Sequence, residues 1–159
     1  MSNERCFILG PALGKDLTEE ECTLFVELGT IRDLADGEIL IKEGEVDNNL
    51  YVVVDGNLAV TRQVASGEWS TLHVLHAGEL AGELGFIDGL EHSASLRALG
   101  PVSVFTLSRD SFDPLLSANP HLVFNIMRAI IRGVHTTLRR MNEQQVEMSN
   151  YISKQHGRY

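Results

Sequence analysis

The apolar positions near the start of the chain fall at helical spacing. Thr18 and Glu21 stand at the separation of a capping box, Cys22, Phe25 and Val26 share one side, and Gly29 ends the run. The period then drops to two. Residues 38–41, 50–54, 58–64, 70–75, 93–98 and 102–107 are short, rich in β-branched side chains and separated by glycine-containing turns, which predicts six strands. In residues 93–98 the alternation points Ala94, Leu96 and Ala98 inward. Asp55-Gly56 and Ser66-Gly67 are two-residue hairpin signals, so each is expected to reverse the chain, and Gly37, Gly44 and Gly56 read as turn glycines. Strands at near-regular spacing with no helix between them predict a jelly roll or barrel.

The last third changes period again. A brief helix over 109–117 tolerates Pro114 only near its first turn, and Asn119-Pro120 then supplies an N-cap and a proline at the first helical position. Only Gly133 interrupts the helical residues before Gly157, so a helix is predicted over 120–151. Such a helix extends about 48 Å, against a radius of gyration of about 15 Å for a chain of this size, and therefore needs a partner along its length. Met127, Ile130, Val134, Thr137, Met141, Gln144, Met148 and Tyr151 alternate spacings of three and four, a seam for a second helix, while Leu122, Phe124, Ile126 and Ile131 are left to pack on the barrel. A parallel homodimer follows, with polar Thr137 and Gln144 setting its register. The expected fold is thus mainly β with flanking helices: a double-stranded β-helix (jelly-roll) barrel followed by a short helix and a long C-terminal dimerisation helix. The expected divisions are an N-terminal extension over 1–16, the barrel over 17–118, the long helix over 119–152 and a tail over 153–159.

Length and charge narrow the classes. At 159 residues there is room for one ordinary core. Residues 1–119 carry a net charge of −13 and residues 120–159 one of +4. An acidic body repels nucleic acid, and Arg128, Arg132, Arg139 and Arg140 read as the solvated flank of a helix. No stretch approaches the roughly 18 apolar residues of a membrane span, and Cys6-Phe7-Ile8-Leu9 is too short for a signal-peptide core, so a cytoplasmic protein without membrane contact is expected. Cys6 and Cys22 can form one bridge at most and are expected to be reduced. Asp36, Glu38, Glu43, Glu45 and Asp47 read as solvated loop charges, because no nucleophile or metal partner stands at a recognisable spacing; no catalysis and no cofactor are expected.

The chemistry concentrates in residues 82–98. Gly82 and Gly85 let the backbone approach a ligand, and a short helical turn beginning near Glu83 aims unpaired N–H groups at an anion. Ser93 adds a hydroxyl donor. Glu83, set between glycines and apolar residues, must be solvated or matched with donors, and a sugar hydroxyl supplies them. The run points to a nucleotide-sized ligand.

Gly82-Glu83-Leu84 and His92-Ser93-Ala94-Ser95-Leu96-Arg97-Ala98 resemble the phosphate-binding cassette of the cyclic nucleotide-binding domain family, found in the catabolite activator protein and in the regulatory subunits of protein kinase A. Asp36-Gly37-Glu38, Glu43-Gly44-Glu45, the stretch 50–56 and Asn119-Pro120 recur there at similar spacing, so the resemblance covers about residues 17–148. It implies that Glu83 holds a ribose 2′-hydroxyl, that Ser93 and the backbone of Gly82, Glu83 and Leu84 hold a cyclic phosphate, and that Thr137 meets the base. The ligand implied is cyclic AMP or cyclic GMP, and the output an unidentified effector protein reached through the C-terminal helix. Ligand at the cassette is expected to shift residues 109–117 and through them the long helix.

Two positions depart from the pattern. His92 stands where the family has an arginine, and losing a charged hydrogen bond costs roughly 1.5 to 3 kcal/mol, hence about 10- to 100-fold in affinity. Leu138 follows Thr137 where the catabolite activator has a second hydroxyl residue. That protein also continues into a helix-turn-helix, whereas only residues 152–159 remain here, so no direct DNA binding is expected. Two other readings stay open: a degenerate cassette acting as a dimeric protein-interaction module, and a haem sensor drawing on His73, His76, His92, His121, His135 or His156.

Overall fold

The computed structural model describes residues 2–156, and the side chains of residues 5–155. Two helices, α1 (Ser2–Gly14) and α2 (Glu19–Leu28), precede the strands β1 (Thr30–Leu34), β2 (Ile39–Ile41), β3 (Asn49–Gln63), β4 (Trp69–Leu75) and β5 (Leu80–Ala81). A short helix α3 (Glu83–Asp88) leads into the strand β6 (Ser95–Ser108), and three helices follow, α4 (Arg109–Phe112), α5 (Leu115–Ala118) and α6 (Pro120–His156). The strands form one antiparallel sheet of order β1-β6-β3-β4, with β2 added to β6 and β5 to β3. The mainly-β class with flanking helices is as expected. The sheet bends around a core without closing, since β1 and β4 stand at opposite ends of the pairing path.

Two long strands replace four of the expected short ones. Residues 50–54 and 58–63 are one strand, β3, and residues 95–98 and 102–107 fall in one strand, β6, so Val64, Ser93 and Ala94 of the expected strands lie outside them. Asp55-Gly56 therefore does not reverse the chain. Gly56 takes φ +87°, and the register shifts on both sides of Asp55, so the pair makes a bulge that bends β3. A Cβ at Gly56 would lie 2.5 Å from Pro101 O, so β3 and β6 bend together where only glycine fits. Ser66-Gly67 does make the hairpin between β3 and β4, with Val64 N–H donating to Glu68 O at 2.8 Å.

The bend gives β3 two buried faces. Leu50 and Val52 join Phe105, Leu107 and the helices in one cluster, while Tyr51 and Val53 join Leu58, Val60, Leu96, Ala98 and Val104 inside the curved sheet. A strand covered on both faces reads as a continuous apolar run, as 50–54 does. Leu96 and Ala98 face inward with Ala94 packed beside them, as the alternation predicts.

The capping box of α2 is present: Glu21 N–H donates to Thr18 Oγ1 at 3.2 Å, and Thr18 N–H to Glu21 Oε2 at 3.0 Å. Cys22 and Phe25 are fully buried. The extension expected over 1–16 is the helix α1, broken at Gly10 and contributing buried Leu9 and Leu13 to the core. Its detection fails because a hydrophobic pattern interrupted by Gly10-Pro11 matches no helical template. The expectation of reduced cysteines is overturned as well. Cys6 and Cys22 form a disulfide with Cα atoms 5.2 Å apart, which ties α1 to α2. In the chain-entropy account a loop of this size is worth about 3 kcal/mol.

The brief helix over 109–117 is two turns, with Pro114 at the N-cap of α5. α6 begins at Pro120 behind Asn119, whose Oδ1 accepts from Leu122 N–H at 3.2 Å, and it runs past the expected end to His156. Residues 157–159 of the expected tail lie outside the described residues. Leu122, Ile126, Ala129 and Ile130 face the core, so Ile130 belongs to the barrel and not to the seam, whereas Phe124 (61% exposed) and Ile131 (68% exposed) face outward. The flank is not merely solvated: Arg128 and Arg132 both pair with Asp16, and Arg140 with Glu79 at 3.1 Å. No helix among the described residues is long and apolar enough to cross a membrane.

Candidate functional site

Between β5 and β6 the chain makes one tight excursion. Gly82 takes φ +76° and opens α3, and Gly89 takes φ +67° and closes it. The first helical bond is Phe86 N–H to Gly82 O at 2.9 Å, so the N–H groups before it have no partner within the helix, and that of Glu83 bonds its own carboxylate. A Cβ on Gly82 would stand 2.7 Å from Asn49 O, and one on Gly85 2.9 Å from Asp47 O and 3.2 Å from the His92 ring. These glycines are needed for close packing on the protein's own backbone, which sets α3 directly against the start of β3. At its other end, Arg109 Nη1 donates to Phe86 O and Ile87 O at 3.2 and 3.0 Å, and Phe86 meets Phe112 edge-on. The excursion is thereby joined to α4.

Gly82, Glu83, Leu84, His92, Ser93 and Thr137 line one cavity of about 400 Å³. It is bounded on the helix side by Val134 and Thr137 of α6. A deeper chamber of about 190 Å³ inside the curved sheet shares Gly82, Glu83, His92, Ser93 and Thr137 with it and adds His73. All six residues singled out from the sequence are thus brought to one place by β5, α3, the segment 90–94 and α6. A wider groove of about 790 Å³ beside Ile39 and Trp69 is open to solvent and takes only Ser95 from the cassette.

The Glu83 carboxylate is the unusual group. Burial pushes it above the usual carboxylate range, opposed only by its own backbone N–H, and no side chain pairs with it. A desolvated acid whose donor is only its own backbone N–H costs free energy, and it is retained where something else supplies further donors. His92 is different. Nε2 lies 3.0 Å from Asp47 Oδ1 and the side chain is only 9% exposed, so Nδ1 is the ring nitrogen without a protein partner. Asp47 also accepts from Tyr51 Oη at 2.6 Å and from Asn49 N–H at 3.2 Å. Burial and this bond push the Tyr51 hydroxyl up to about 12. Backbone bonds from His92 N–H to Glu45 O (2.9 Å) and from Gly44 N–H to His92 O (2.8 Å) fix the segment.

The acidic run is solvated only in part: Asp36 and Glu45 are exposed as expected, while Glu38, Glu43 and Asp47 are half-buried. Asp36 accepts from Gly100 N–H at 2.8 Å, Glu38 pairs with Arg32, Glu43 pairs with Arg62, and Asp47 holds His92. Asp47 and Arg109 are the contributors that sequence reasoning misses, because each acts on a partner far away in the chain. The histidines do not converge: His76 pairs with Asn57 at 2.7 Å, His121 lies 3.6 Å from Glu21, and only His73 and His92 reach the deeper chamber. Among the described residues no three metal-ligating side chains cluster. The His156 side chain lies outside the described set.

This cassette geometry sits within residues 31–119, which match the model of the cyclic nucleotide-binding domain over more than half of the chain. The chain belongs to the cyclic nucleotide-binding domain family. The cAMP-activated global transcriptional regulator CRP of Salmonella typhimurium is 31% identical over 126 residues, which span 79% of this chain and 60% of the regulator. The cAMP-dependent protein kinase regulatory subunit of Dictyostelium discoideum is 29% identical over 83 residues, spanning 50% of this chain and 25% of the subunit. The domain described here therefore covers less than two thirds of either relative, and both are regulatory proteins by name. A cyclic nucleotide-binding domain from Methylobacillus flagellatus shares the fold, with a TM-score of 0.84 at 22% identity over 92% of this chain and 85% of that one.

Proposed function

We propose that this domain senses a cyclic nucleotide, cyclic AMP or cyclic GMP, and relays its occupancy through α6 to an effector protein. The observation that carries the reading is the largely buried Glu83 carboxylate, met by no side chain among the described residues, in a cavity that also presents Ser93, His92 and Thr137. In this reading Glu83 accepts from the ribose 2′-hydroxyl, Ser93 and the backbone of Gly82, Glu83 and Leu84 donate to the cyclic phosphate, and Thr137 lies beside the base. His92 Nδ1 is the added donor to the phosphate once the ring is protonated.

That last role makes binding depend on pH. Affinity for cyclic AMP, measured by titration calorimetry at several pH values, is expected to be greater with a protonated imidazole opposite the phosphate than with a neutral one. It is expected to fall again at lower pH as Glu83 takes up a proton, and the raised Glu83 value places this loss above the ordinary carboxylate range. His73, in the same chamber, is held below the ordinary histidine range by burial and by Arg140. His92→Arg should strengthen binding at neutral pH by about 10- to 100-fold and flatten the profile. An unchanged affinity would remove His92 from the phosphate. The Asp47–His92 pair also favours a second reading, in which the imidazole is committed to Asp47 and the cassette holds no nucleotide; wild type and His92→Arg would then both show no binding heat, leaving a dimeric interaction module.

We also infer that α6 pairs with a second copy of itself. Beyond Arg140 every described side chain of this helix is exposed. Phe124, Ile131 and Leu138 recur every seven residues, and so do Val134, Met141 and Met148, offset by three, which is the a/d pattern of a two-stranded coil. Relative to the seam expected from sequence, Val134, Met141 and Met148 are retained, while Ile130 and Thr137 give way to Ile131 and Leu138. Thr137 is turned to the cavity, next to the seam, so occupancy of the site and packing of the coil are in contact. Ligand is expected to act through α3, Arg109 and α4 as well, visible as altered amide exchange in residues 109–117.

A further inference from the structure

We propose that the Cys6–Cys22 disulfide is a thiol–disulfide exchange site for a dithiol reductant and that its redox state sets the ligand affinity of the cassette. The affinity part of this inference rests on the function proposed above.

The bond joins the two cysteines of the chain across a 16-residue separation, α1 to α2. Its two sulfurs are not equivalent. Cys22 is fully buried under the helix pair, whereas Cys6 is partly exposed and lines an open cavity of about 350 Å³ with Phe7, Pro11, Lys15 and Gly78. An incoming thiolate therefore reaches the Cys6 sulfur, and the Lys15 ammonium on the same cavity favours negative charge there. The exchange balances as follows. The thiolate of a dithiol bonds to Cys6 Sγ while the electron pair of the S–S bond leaves on Cys22 Sγ, which takes up a proton. The second thiol of the reductant then attacks its own sulfur in the mixed disulfide and releases the Cys6 thiolate, which is protonated in turn. The protein gains two electrons and two protons, and the reductant leaves as its disulfide.

The consequence reaches the cassette by direct contact. Gly10, at φ +69°, breaks α1 and brings its backbone onto Gly78: a Cβ on Gly10 would stand 2.6 Å from Gly78 Cα, and one on Gly78 3.0 Å from Pro11 Cδ. The backbones of the two segments and the Pro11 ring are in close contact. Gly78 N–H donates to Val53 O at 2.7 Å and Val53 N–H to Glu79 O at 3.0 Å. The next residues are β5 and then Gly82, which opens α3. The Glu79 carboxylate also accepts from Arg140 of α6 at 3.1 Å. α1 thus braces both the strand that delivers the cassette and the helix that closes its cavity. Reduction leaves α1 held by buried Leu9 and Leu13 and by the ion pairs of Asp16 with Arg128 and Arg132. The helix loosens rather than leaves. Disulfides that persist in a reducing compartment are most often redox-responsive ones.

The test compares full-length protein in its air-oxidised form with the same protein reduced by dithiothreitol, each checked by thiol alkylation and mass analysis. Amide exchange is expected to quicken on reduction in α1 and in residues 77–90, and cyclic AMP affinity to fall by about 5-fold or more, within the usual range of site-to-site coupling. Cys6→Ser is expected to match the reduced wild type and to show no further response to the reductant. Free thiols in the air-oxidised protein, or identical exchange over 77–90 in the two forms, would overturn the proposal. If neither form binds a cyclic nucleotide the proposed function fails, and the exchange comparison still decides whether the disulfide controls the cassette.

Discussion

Replacing Glu83 by glutamine is expected to weaken cyclic nucleotide binding by about 10- to 100-fold and at the same time to make the ligand-free protein more stable. The loss follows from exchanging a charged acceptor for a neutral one at the ribose hydroxyl. The gain follows from burial. Because the folded state raises the Glu83 carboxyl above its unfolded value, the stability tied to this group is fully present below the unfolded value and is lost as pH rises through the folded one. Burial opposes the ionised form of this acid, which only its own backbone N–H offsets, and glutamine removes that cost. Calorimetric titration and thermal unfolding measured on the same samples check both halves. The variant should melt higher than wild type at pH 7, with the difference shrinking on acidification. A variant that melts lower would mean that Glu83 serves the fold and not a ligand.

The second large effect concerns α6. Leu138→Glu combined with Met141→Glu places two charges at adjacent positions of the exposed seam, and like charges facing their own copies in a parallel coil oppose pairing. Sedimentation at tens of micromolar is expected to show a dimer for wild type and a monomer for the double variant. Far-ultraviolet circular dichroism should fall with it, because the described side chains from 141 onward are all exposed and an isolated stretch of about 15 residues is marginal as a helix in water. Gln144→Glu, on the seam that sequence periodicity favours, is expected to leave the dimer intact. Equal disruption by both changes would restore that register, and a monomeric wild type would remove the coil.

These expectations also mark what the sequence makes legible. The mainly-β class, the capping box at Thr18 and the helix start at Asn119-Pro120 rest on local rules that hold in the structure; Gly82, Glu83 and Ser93 also read locally as a ligand turn, whereas Thr137 joins them only through the family resemblance. The misreadings share a cause in long-range packing. Asp55-Gly56 satisfies every local condition for a hairpin, yet the chain runs straight on, because Pro101 and Val102 of β6 lie against it and demand a bulge. The seam of α6 is displaced by one residue in half of its positions because periods of three-then-four and four-then-three look alike until the barrel claims Ile130. The glycines of the cassette are legible as special positions, but the backbone that crowds them is Asn49 and Asp47 of the protein itself. Asp47 carries no local mark of its bond to His92, which is formed 45 residues away. The bond between Cys6 and Cys22 is open from spacing alone and settled only by the packing of α1 on α2.

The most direct measurement of the central claim is a calorimetric titration of cyclic AMP and of cyclic GMP into the full-length protein. The account predicts saturable binding of at least one of them, at one site per chain, and a marked loss in Glu83→Gln. Absence of saturable heat for both nucleotides up to millimolar concentration, in protein shown to be folded, would contradict it.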